Sequence, residues 1–223
     1  MKFEVLPSLL AADFGNLERD ARRAEAAGAD QLHLDIMDGH FVPNLSMGPD
    51  VVAMAKQVVG IPLSVHLMLT NPDRYIERFA EAGATTIQIH LESDCDIAAT
   101  LQSIRECGVR PGMVLNPDTP AEKALPFLDQ VDEILCMTVF PGYGGQSFMP
   151  EVMSSVKVLR KASNQSGRNN FGIMVDGGIN AETGALSALN GANMFVAGTY
   201  LYRAEDMARE ILNLRNAAEQ NFV

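Results

Sequence analysis

The sequence predicts an α/β fold, a single (β/α)₈ TIM barrel that spans residues 1–223 as one domain. Three observations support this prediction. Short β-rich runs alternate with longer segments of helical apolar spacing, as in proteins built from βαβ units. The segments AAGADQLHLD, EAGATTIQIH and LNGANMFVAG repeat one pattern, in which a helix end is followed by Gly-Ala, a polar residue and a buried strand. The chain has 223 residues, 47% of them hydrophobic, and no stretch that resembles a linker.

The predicted strands occur at regular intervals along the chain. They are Glu4–Ser8, Gln31–Asp35, Leu63–Met68, Thr86–His90, Arg110–Leu115, Glu133–Thr138, Gly172–Asp176 and Asn193–Ala197. Between them, segments such as NLERDARRAEAAG and NPDRYIERFAEAG have apolar positions at helical spacing and finish at glycine, which is typical of a helix C-terminus. This connectivity indicates a closed parallel barrel. The alternative is an open doubly wound sheet, which would carry GxGxxG after the first strand, where Pro7-Ser8-Leu9-Leu10 stands instead.

Charge and cysteine content limit the classes of partner and compartment. The formal net charge of −11 disfavours nucleic acid and an anionic membrane surface, while backbone amides can still bind a small anion. The three cysteines are far apart and form no CxxC, which indicates a reducing compartment without a disulfide framework. The N-terminus MKFEVLPSLL lacks a long apolar segment, and no apolar run is long enough to span a membrane. We therefore expect a cytoplasmic protein with no nucleic-acid or membrane partner.

The main candidates for chemistry lie near the predicted strand ends, where barrels of this kind place their active sites. His33 and Asp35 are two residues apart on one strand, so both face the barrel interior. His66 belongs to the next strand, and Asp176 ends the seventh. Two imidazoles and two carboxylates at one rim indicate a site for one divalent cation, Zn²⁺, Fe²⁺, Mn²⁺ or Co²⁺. The alternative is that HLD is an ordinary strand with a hydrogen-bonded histidine.

Two further histidines and three methionines occur near the same strand ends. His40 lies in the loop MDGHFVPN and is interpreted as solvated or loop-bracing, and His90 as a hydrogen-bonded polar residue rather than a ligand. Met37 and Met68 share the facing of the candidate ligands, and Met137 ends the sixth strand. These methionines are expected to form an apolar lining over reacting carbons, with core packing as the alternative for Met137.

Three glycine-rich segments follow the last three strands. They are FPGYGGQ at Phe140–Gln146, DGG at Asp176–Gly178 and AGT at Ala197–Thr199. Glycines let backbone N–H groups approach an oxyanion closely, and the loops after strands 7 and 8 are the usual phosphate site of these barrels. All five lysines fall at the N-terminal tip or in helical segments. We therefore expect backbone amides to hold a phosphate, and no Schiff-base lysine.

Several motifs together resemble the ribulose-phosphate 3-epimerase family. They are PSLLAADF (7–14), HLDIMDGHFVPN (33–44), VHLML (65–69), TVFPGYGGQSF (138–148), VDGGIN (175–180) and VAGTYLY (196–202). They occur in the family's order and span nearly the whole chain. The resemblance implies a metal-dependent enzyme that inverts C3 of a 2-ketose phosphate, D-ribulose 5-phosphate to D-xylulose 5-phosphate in the pentose phosphate pathway. The reaction would pass through a metal-stabilised enediolate. It also implies a homo-oligomer.

The resemblance also implies roles for individual residues. The implied metal ligands are His33, Asp35, His66 and Asp176, and the two aspartates are also the implied acid/base pair. The implied substrate contacts are Ser8, His66, Gly142, Tyr143, Gly144, Gly145, Asp176, Gly177, Gly178, Gly198 and Thr199. One divalent cation per chain and a small phosphorylated ketose are the expected cofactor and substrate.

Departures from the family's pattern leave other functions open. Phe140, Tyr143 and the run AGTYLY replace residues that are usual in the family, and D-allulose-6-phosphate 3-epimerase shares much of the pattern. A decarboxylase of the orotidine-phosphate type would carry Asp-x-Lys on a strand, where this chain has His33-Leu34-Asp35-Ile36. A sugar-phosphate-binding barrel without activity is the non-enzyme alternative, and the retained carboxylates and histidines argue against it.

Overall fold

The computed structural model describes residues 1–222 and contains one eight-stranded parallel sheet. The strands are β1 (Glu4–Pro7), β2 (Leu32–Met37), β3 (Leu63–Met68), β4 (Thr86–His90), β5 (Arg110–Leu115), β6 (Glu133–Met137), β7 (Gly172–Asp176) and β8 (Met194–Ala197). They are hydrogen-bonded in the order β1-β8-β7-β6-β5-β4-β3-β2. An isolated parallel bridge between Ser8 and His33 joins the two ends of this order. The predicted (β/α)₈ barrel is therefore confirmed, and the open doubly wound alternative is wrong.

Helices follow the strands and cover the outside of the barrel. The α-helices are α1 (Leu17–Ala26), α2 (Pro49–Val58), α3 (Ile76–Glu81), α4 (Ile97–Glu106), α5 (Met153–Gln165), α6 (Ala181–Leu189), α7 (Thr199–Tyr202) and α8 (Met207–Asn221). The predicted glycine stops after α1 and α3 are confirmed, because Gly28 and Gly83 have φ values of 89° and 104°, which glycine adopts without steric cost. Within residues 1–222, no helix is both long and apolar enough to span a membrane.

The side chains of each strand divide between two buried layers. In β2 all six residues are buried, and Leu32, Leu34 and Ile36 belong to the large apolar cluster between sheet and helices. A smaller cluster inside the barrel includes Leu6 and Met174. Because successive side chains point to opposite faces, His33 and Asp35 face the interior, as predicted.

The strand ends differ from the prediction by one or two residues. The predicted end of the second strand was Asp35, whereas β2 continues to Met37 because Met37 pairs in register with Met68 of β3. β8 begins at Met194 rather than Asn193. Asp35 and His66 therefore each lie two residues before the end of their strand, and Met37 and Met68 lie at the strand ends.

Candidate active site

A cavity of about 550 Å³ opens at the carboxyl ends of the strands. The predicted site residues that line it are Ser8, Asp35, Gly142, Tyr143, Gly144, Gly145, Asp176, Gly177, Gly178, Gly198 and Thr199. His33 and His66 are fully buried and lie behind the lining residues. Met37, Met68 and Met137 also line the cavity, which agrees with their predicted apolar role. The barrel thus brings all of the predicted residues to one end.

Four of these side chains form a compact polar cluster. His33, Asp35, His66 and Asp176 each offer one ligand atom, and these atoms all lie within 4.8 Å of one another. His66 reaches the cluster because it pairs in register with Asp35 across β2 and β3. Asp176 enters from β7, which is separated from β2 by β8 and β1. Residues far apart in the sequence therefore meet at one point of the barrel.

Asp35 is the centre of the cluster. Its Oδ1 lies 3.0 Å from Nδ1 of His66 and 3.3 Å from Nε2 of His33. Its Oδ2 accepts a 2.5 Å hydrogen bond from the hydroxyl of Ser8, the residue that bridges to β2. The carboxylate is only 3% exposed. These contacts fix its orientation toward the cavity.

The cluster fits a divalent cation. Neither ring nitrogen of His33 has a hydrogen-bond partner among residues 1–222, although the side chain is fully buried. Buried polar atoms without partners are rare and costly, and they commonly mark a missing ion or water. Mixed imidazole and carboxylate ligands suit zinc, iron(II), manganese and cobalt. The donor set and the two His33 nitrogens without hydrogen-bond partners together support a metal centre here.

The two carboxylates of the cluster differ in their affinity for protons. Burial would raise the pKa of Asp35, but contacts with His33 and His66 outweigh it and hold the pKa well below its usual range. Burial, and then the charge of Asp35, raises the pKa of Asp176 to about 7. Burial lowers the pKa of His66 to about 4. Two neighbouring carboxyls with separated pKa values can act as one base and one acid at neutral pH.

The glycines after β7 are required by the backbone and by close packing. Gly177 and Gly178 have φ values of +121° and +66°. A Cβ at Gly177 would lie 2.6 Å from a methyl of Val139, and a Cβ at Gly178 would lie 2.7 Å from the backbone N of Phe148. The hydroxyl of Thr138 donates to the carbonyl of Gly177 at 2.7 Å. This turn is therefore held in one shape at the wall of the cavity.

Two backbone N–H groups in the first turn of helix α6 are already hydrogen-bonded within the protein. The side chain of Asn180 accepts hydrogen bonds from the backbone N–H groups of Glu182 and Thr183. The other backbone N–H donors at this wall of the cavity belong to the preceding turn and to Gly198 and Thr199, after β8.

The loop after β6 is fastened to the loop after β2. The hydroxyl of Tyr143 donates to the carbonyl of Pro43 at 2.8 Å, and the side-chain amide of Asn44 donates to the carbonyl of Gly142 at 2.7 Å. Gln146 donates to the carbonyls of Phe140 and Tyr143. These bonds hold the predicted glycine loop over the cavity.

One cationic side chain was missed in the sequence. Of the described residues that line the cavity, Arg203 alone is an arginine or lysine. It follows helix α7, whose first residue is Thr199. An arginine shortly after the predicted phosphate-binding segment AGT is the sequence feature that points to this residue.

His40 and His90 lie outside the four-residue cluster, in agreement with their interpretation. Nδ1 of His40 contacts the backbone oxygen of Asp38 at 2.9 Å. Both ring nitrogens of His90 have polar partners, His66 and Glu92. Burial lowers the pKa of His90, and Glu92 partly opposes this shift.

Fold and site together define a (β/α)₈ barrel enzyme with a candidate metal centre at the carboxyl ends of its strands. A sequence model of the Ribulose-phosphate 3 epimerase family matches residues 4–202. The ribulose-phosphate 3-epimerase of Bacillus subtilis (strain 168) is 42% identical over 214 residues, which cover 96% of this chain and 99% of that protein. The ribulose-phosphate 3-epimerase, cytoplasmic isoform, of Oryza sativa subsp. japonica is 43% identical over 220 residues, which cover 97% and 94%. The chain therefore belongs to the ribulose-phosphate 3-epimerase family, and it is an isomerase that acts on carbohydrates.

Solved structures of lower identity share the fold. KGPDC from Streptococcus mutans superposes with a TM-score of 0.74 at 13% identity, and 100% of each chain is covered. Orotidine 5'-phosphate decarboxylase from Pyrococcus horikoshii OT3 superposes with a TM-score of 0.69 at 13% identity, over 96% of this chain and 99% of that one. Function on this fold is decided by the residues of the site.

Proposed function

We propose that the protein is a metal-dependent epimerase that interconverts D-ribulose 5-phosphate and D-xylulose 5-phosphate. The observation that carries this proposal is the pair Asp35 and Asp176, which face one cavity within a cluster that also contains His33 and His66. The names of the relatives support the substrate. Inverting C3 requires removal of a proton next to a carbonyl and its return on the other face, and two carboxyls from different strands can do both.

The carboxyls divide the proton transfer between them. With its low pKa, Asp35 is ionised in the substrate-free site and can accept a proton. In the metal-free site, burial and the charge of Asp35 raise the pKa of Asp176 to about 7, so this carboxyl can hold a proton there and donate it. After one turnover the two have exchanged states, so the same pair serves the reverse reaction. Their proximity means that they titrate as a coupled unit.

His33, His66, Asp35 and Asp176 would hold the divalent cation. Such a cation supplies a fixed positive charge and Lewis acidity, which favour negative charge on the substrate oxygens next to C3. The three lining methionines contribute in another way, because an apolar surface above the carboxyls excludes water from the reacting carbon.

A spectrophotometric assay with both candidate ketose phosphates tests the substrate. We expect turnover of ribulose 5-phosphate with a larger kcat/KM than that of allulose 6-phosphate. A larger kcat/KM for allulose 6-phosphate would assign the protein to the hexulose branch, and the absence of turnover with either would favour a binding barrel.

Arg203 is expected to strengthen phosphate binding. As an exposed side chain beside the glycines after β7 and β8, it can approach a phosphate without being desolvated. Arg203→Ala is expected to raise KM for the phosphorylated ketose about 10-fold with little change in kcat, since the contact is made equally in ground and transition states. Steady-state kinetics measure both constants. Arg209→Ala, an exposed arginine in α8 outside the cavity, is the control; equal effects of the two substitutions would contradict the role of Arg203.

The raised pKa of Asp176 predicts how stability depends on pH in the metal-free protein. The folded-state pKa of about 7 exceeds the ordinary value of 3.8, so the folded state binds this proton more tightly than the unfolded state. The resulting stabilisation is complete below about pH 4 and is lost as the pH rises to about 7. Between about pH 5 and 8, the wild type should lose about 2–3 kcal/mol of unfolding free energy relative to Asp176→Asn. Urea unfolding with chelator measures this, and parallel pH profiles would contradict the raised pKa.

We further propose that the chain is one catalytic domain, cytoplasmic and homo-oligomeric. Pairing of β1 with β8 and packing of α8 against α6 tie both ends of the sequence into one barrel. The cysteines are free, which is typical of a reducing compartment. Light scattering of the purified protein tests the subunit count.

A further inference from the structure

A row of polar side chains, which begins with two buried histidines and ends at Glu92, leads away from the candidate metal centre. Nε2 of His66 lies 2.8 Å from Nε2 of His90, and Nδ1 of His90 lies 3.2 Å from Oε2 of Glu92. At the other end, Nδ1 of His66 lies 3.0 Å from Oδ1 of Asp35. Both histidines are fully buried. The two rings therefore connect a carboxylate of the cavity with a carboxylate outside it.

The outer end of the row is anchored. Oε1 of Glu92 accepts hydrogen bonds from the backbone N–H of Asn116, at 3.0 Å, and from the hydroxyl of Thr119. Oε2 faces His90. The ring of Phe41 packs on His90 with a centroid distance of 4.6 Å. Both the carboxylate of Glu92 and the imidazole of His90 are consequently fixed in place.

The protons of the row decide which nitrogen of His66 is free. An ionised carboxylate only accepts hydrogen bonds, and a neutral imidazole has one donor and one acceptor nitrogen. Glu92 therefore requires the proton of His90 on Nδ1, which makes Nε2 of His90 an acceptor. His66 must then donate from Nε2, which leaves the lone pair of its Nδ1 directed toward Asp35. The contacts Glu92–His90, His90–His66 and His66–Asp35 each need one proton to form a hydrogen bond. Two neutral imidazoles supply only two protons, so the contact between His66 and Asp35 is left without one. A metal cation bound between these two side chains would take the place of the missing proton.

We propose that His90 and Glu92 are positioning residues that hold His66 with its proton on Nε2, so that its Nδ1 is free to bind the metal. This inference rests on the proposed metal centre. Neither residue lines the cavity, so both act through His66 rather than on substrate. Hydrogen-bonded partners of a ligating histidine fix its tautomer and raise its basicity, and their loss typically weakens metal binding about 10- to 100-fold.

Paired substitutions separate hydrogen bonding from packing. His90→Leu and Glu92→Leu remove the acceptors, whereas His90→Gln and Glu92→Gln keep an amide oxygen that can accept. Phe41→Leu changes the packing on His90 but removes none of the hydrogen-bonding groups of the row, and it is the control. The dissociation constant for Zn²⁺ is measured by chelator competition on each full-length protein. We expect the leucine variants to bind about 10- to 100-fold more weakly, the glutamine variants to recover part of this loss, and Phe41→Leu to bind as the wild type.

Nitrogen-15 NMR of the zinc-loaded wild type supplies a readout that needs no variant. We expect the shifts of His90 to show a proton on Nδ1 and none on Nε2. A proton on Nε2 of His90 would overturn the inference, as would leucine variants that bind Zn²⁺ like the wild type. A wild type that binds no Zn²⁺ would overturn the proposed metal centre. A wild type that binds Zn²⁺ as tightly as the leucine variants do would overturn only the role of His90 and Glu92, so the two failures are distinguishable.

Discussion

Asparagine in place of Asp35 or Asp176 is expected to reduce net epimerisation by several orders of magnitude. Each substitution would remove one of the two carboxyls proposed to move the C3 proton but keep the shape of the side chain. In the proposed mechanism the remaining carboxylate still faces its own side of C3, so each variant should exchange the C3 proton of one epimer with solvent. The two variants should prefer opposite epimers. Proton NMR of each epimer in heavy water, with each variant, measures exchange and epimerisation together.

Metal content and a distant acid provide the controls for this experiment. Both variants must first be shown to retain the cation, because an amide oxygen is a weaker ligand than a carboxylate. Asp132→Asn changes a carboxyl at the amino end of β6, away from the cavity, and should epimerise like the wild type. Metal-loaded variants that exchange both epimers equally, or one with wild-type turnover, would rule out the assigned roles.

Much of the fold could be predicted because its determinants are local in sequence. Glycines such as Gly28 and Gly83 end helices through their own φ values, and strand alternation depends on nearest neighbours. The strand ends were less predictable. β2 continues to Met37 because of its partner Met68, which is far away in the sequence. Pairing between strands, rather than the propensity of either one, decides such ends.

The spacing of residues in the sequence predicted which side chains meet in the site, but it did not predict the pKa values of the two aspartates. His33 and Asp35 had to share a face because they are two residues apart on a strand. The separation of the two aspartate pKa values depends on burial and on distances across the barrel, which no spacing reveals. The contact of His90 with Glu92 could have been suspected from their separation by two residues. Its continuation to His66 needs the β3–β4 pairing of the structure.

Removal of the metal is expected to abolish turnover and to lower thermal stability. Without a cation, the carboxyls of Asp35 and Asp176 remain within 4.8 Å of each other, and neither buried nitrogen of His33 has a hydrogen-bond partner in the described chain. A cation held about 1,000-fold above its dissociation constant stabilises the folded state by about 4 kcal/mol, so calorimetry should show a lower Tm after chelation. One equivalent of Zn²⁺, Mn²⁺, Fe²⁺ or Co²⁺ should restore both Tm and activity.

Substitution of two histidines distinguishes a specific metal centre from adventitious metal binding. His33→Asn removes a buried proposed ligand and should lose both the bound metal and the shift in Tm. His40→Asn changes a histidine in an exposed loop outside the cluster and should retain them. An anomalous-scattering map locates the ion directly. Full turnover after exhaustive chelation, or an ion bound away from Asp35 and Asp176, would show that these carboxyls work without a metal between them.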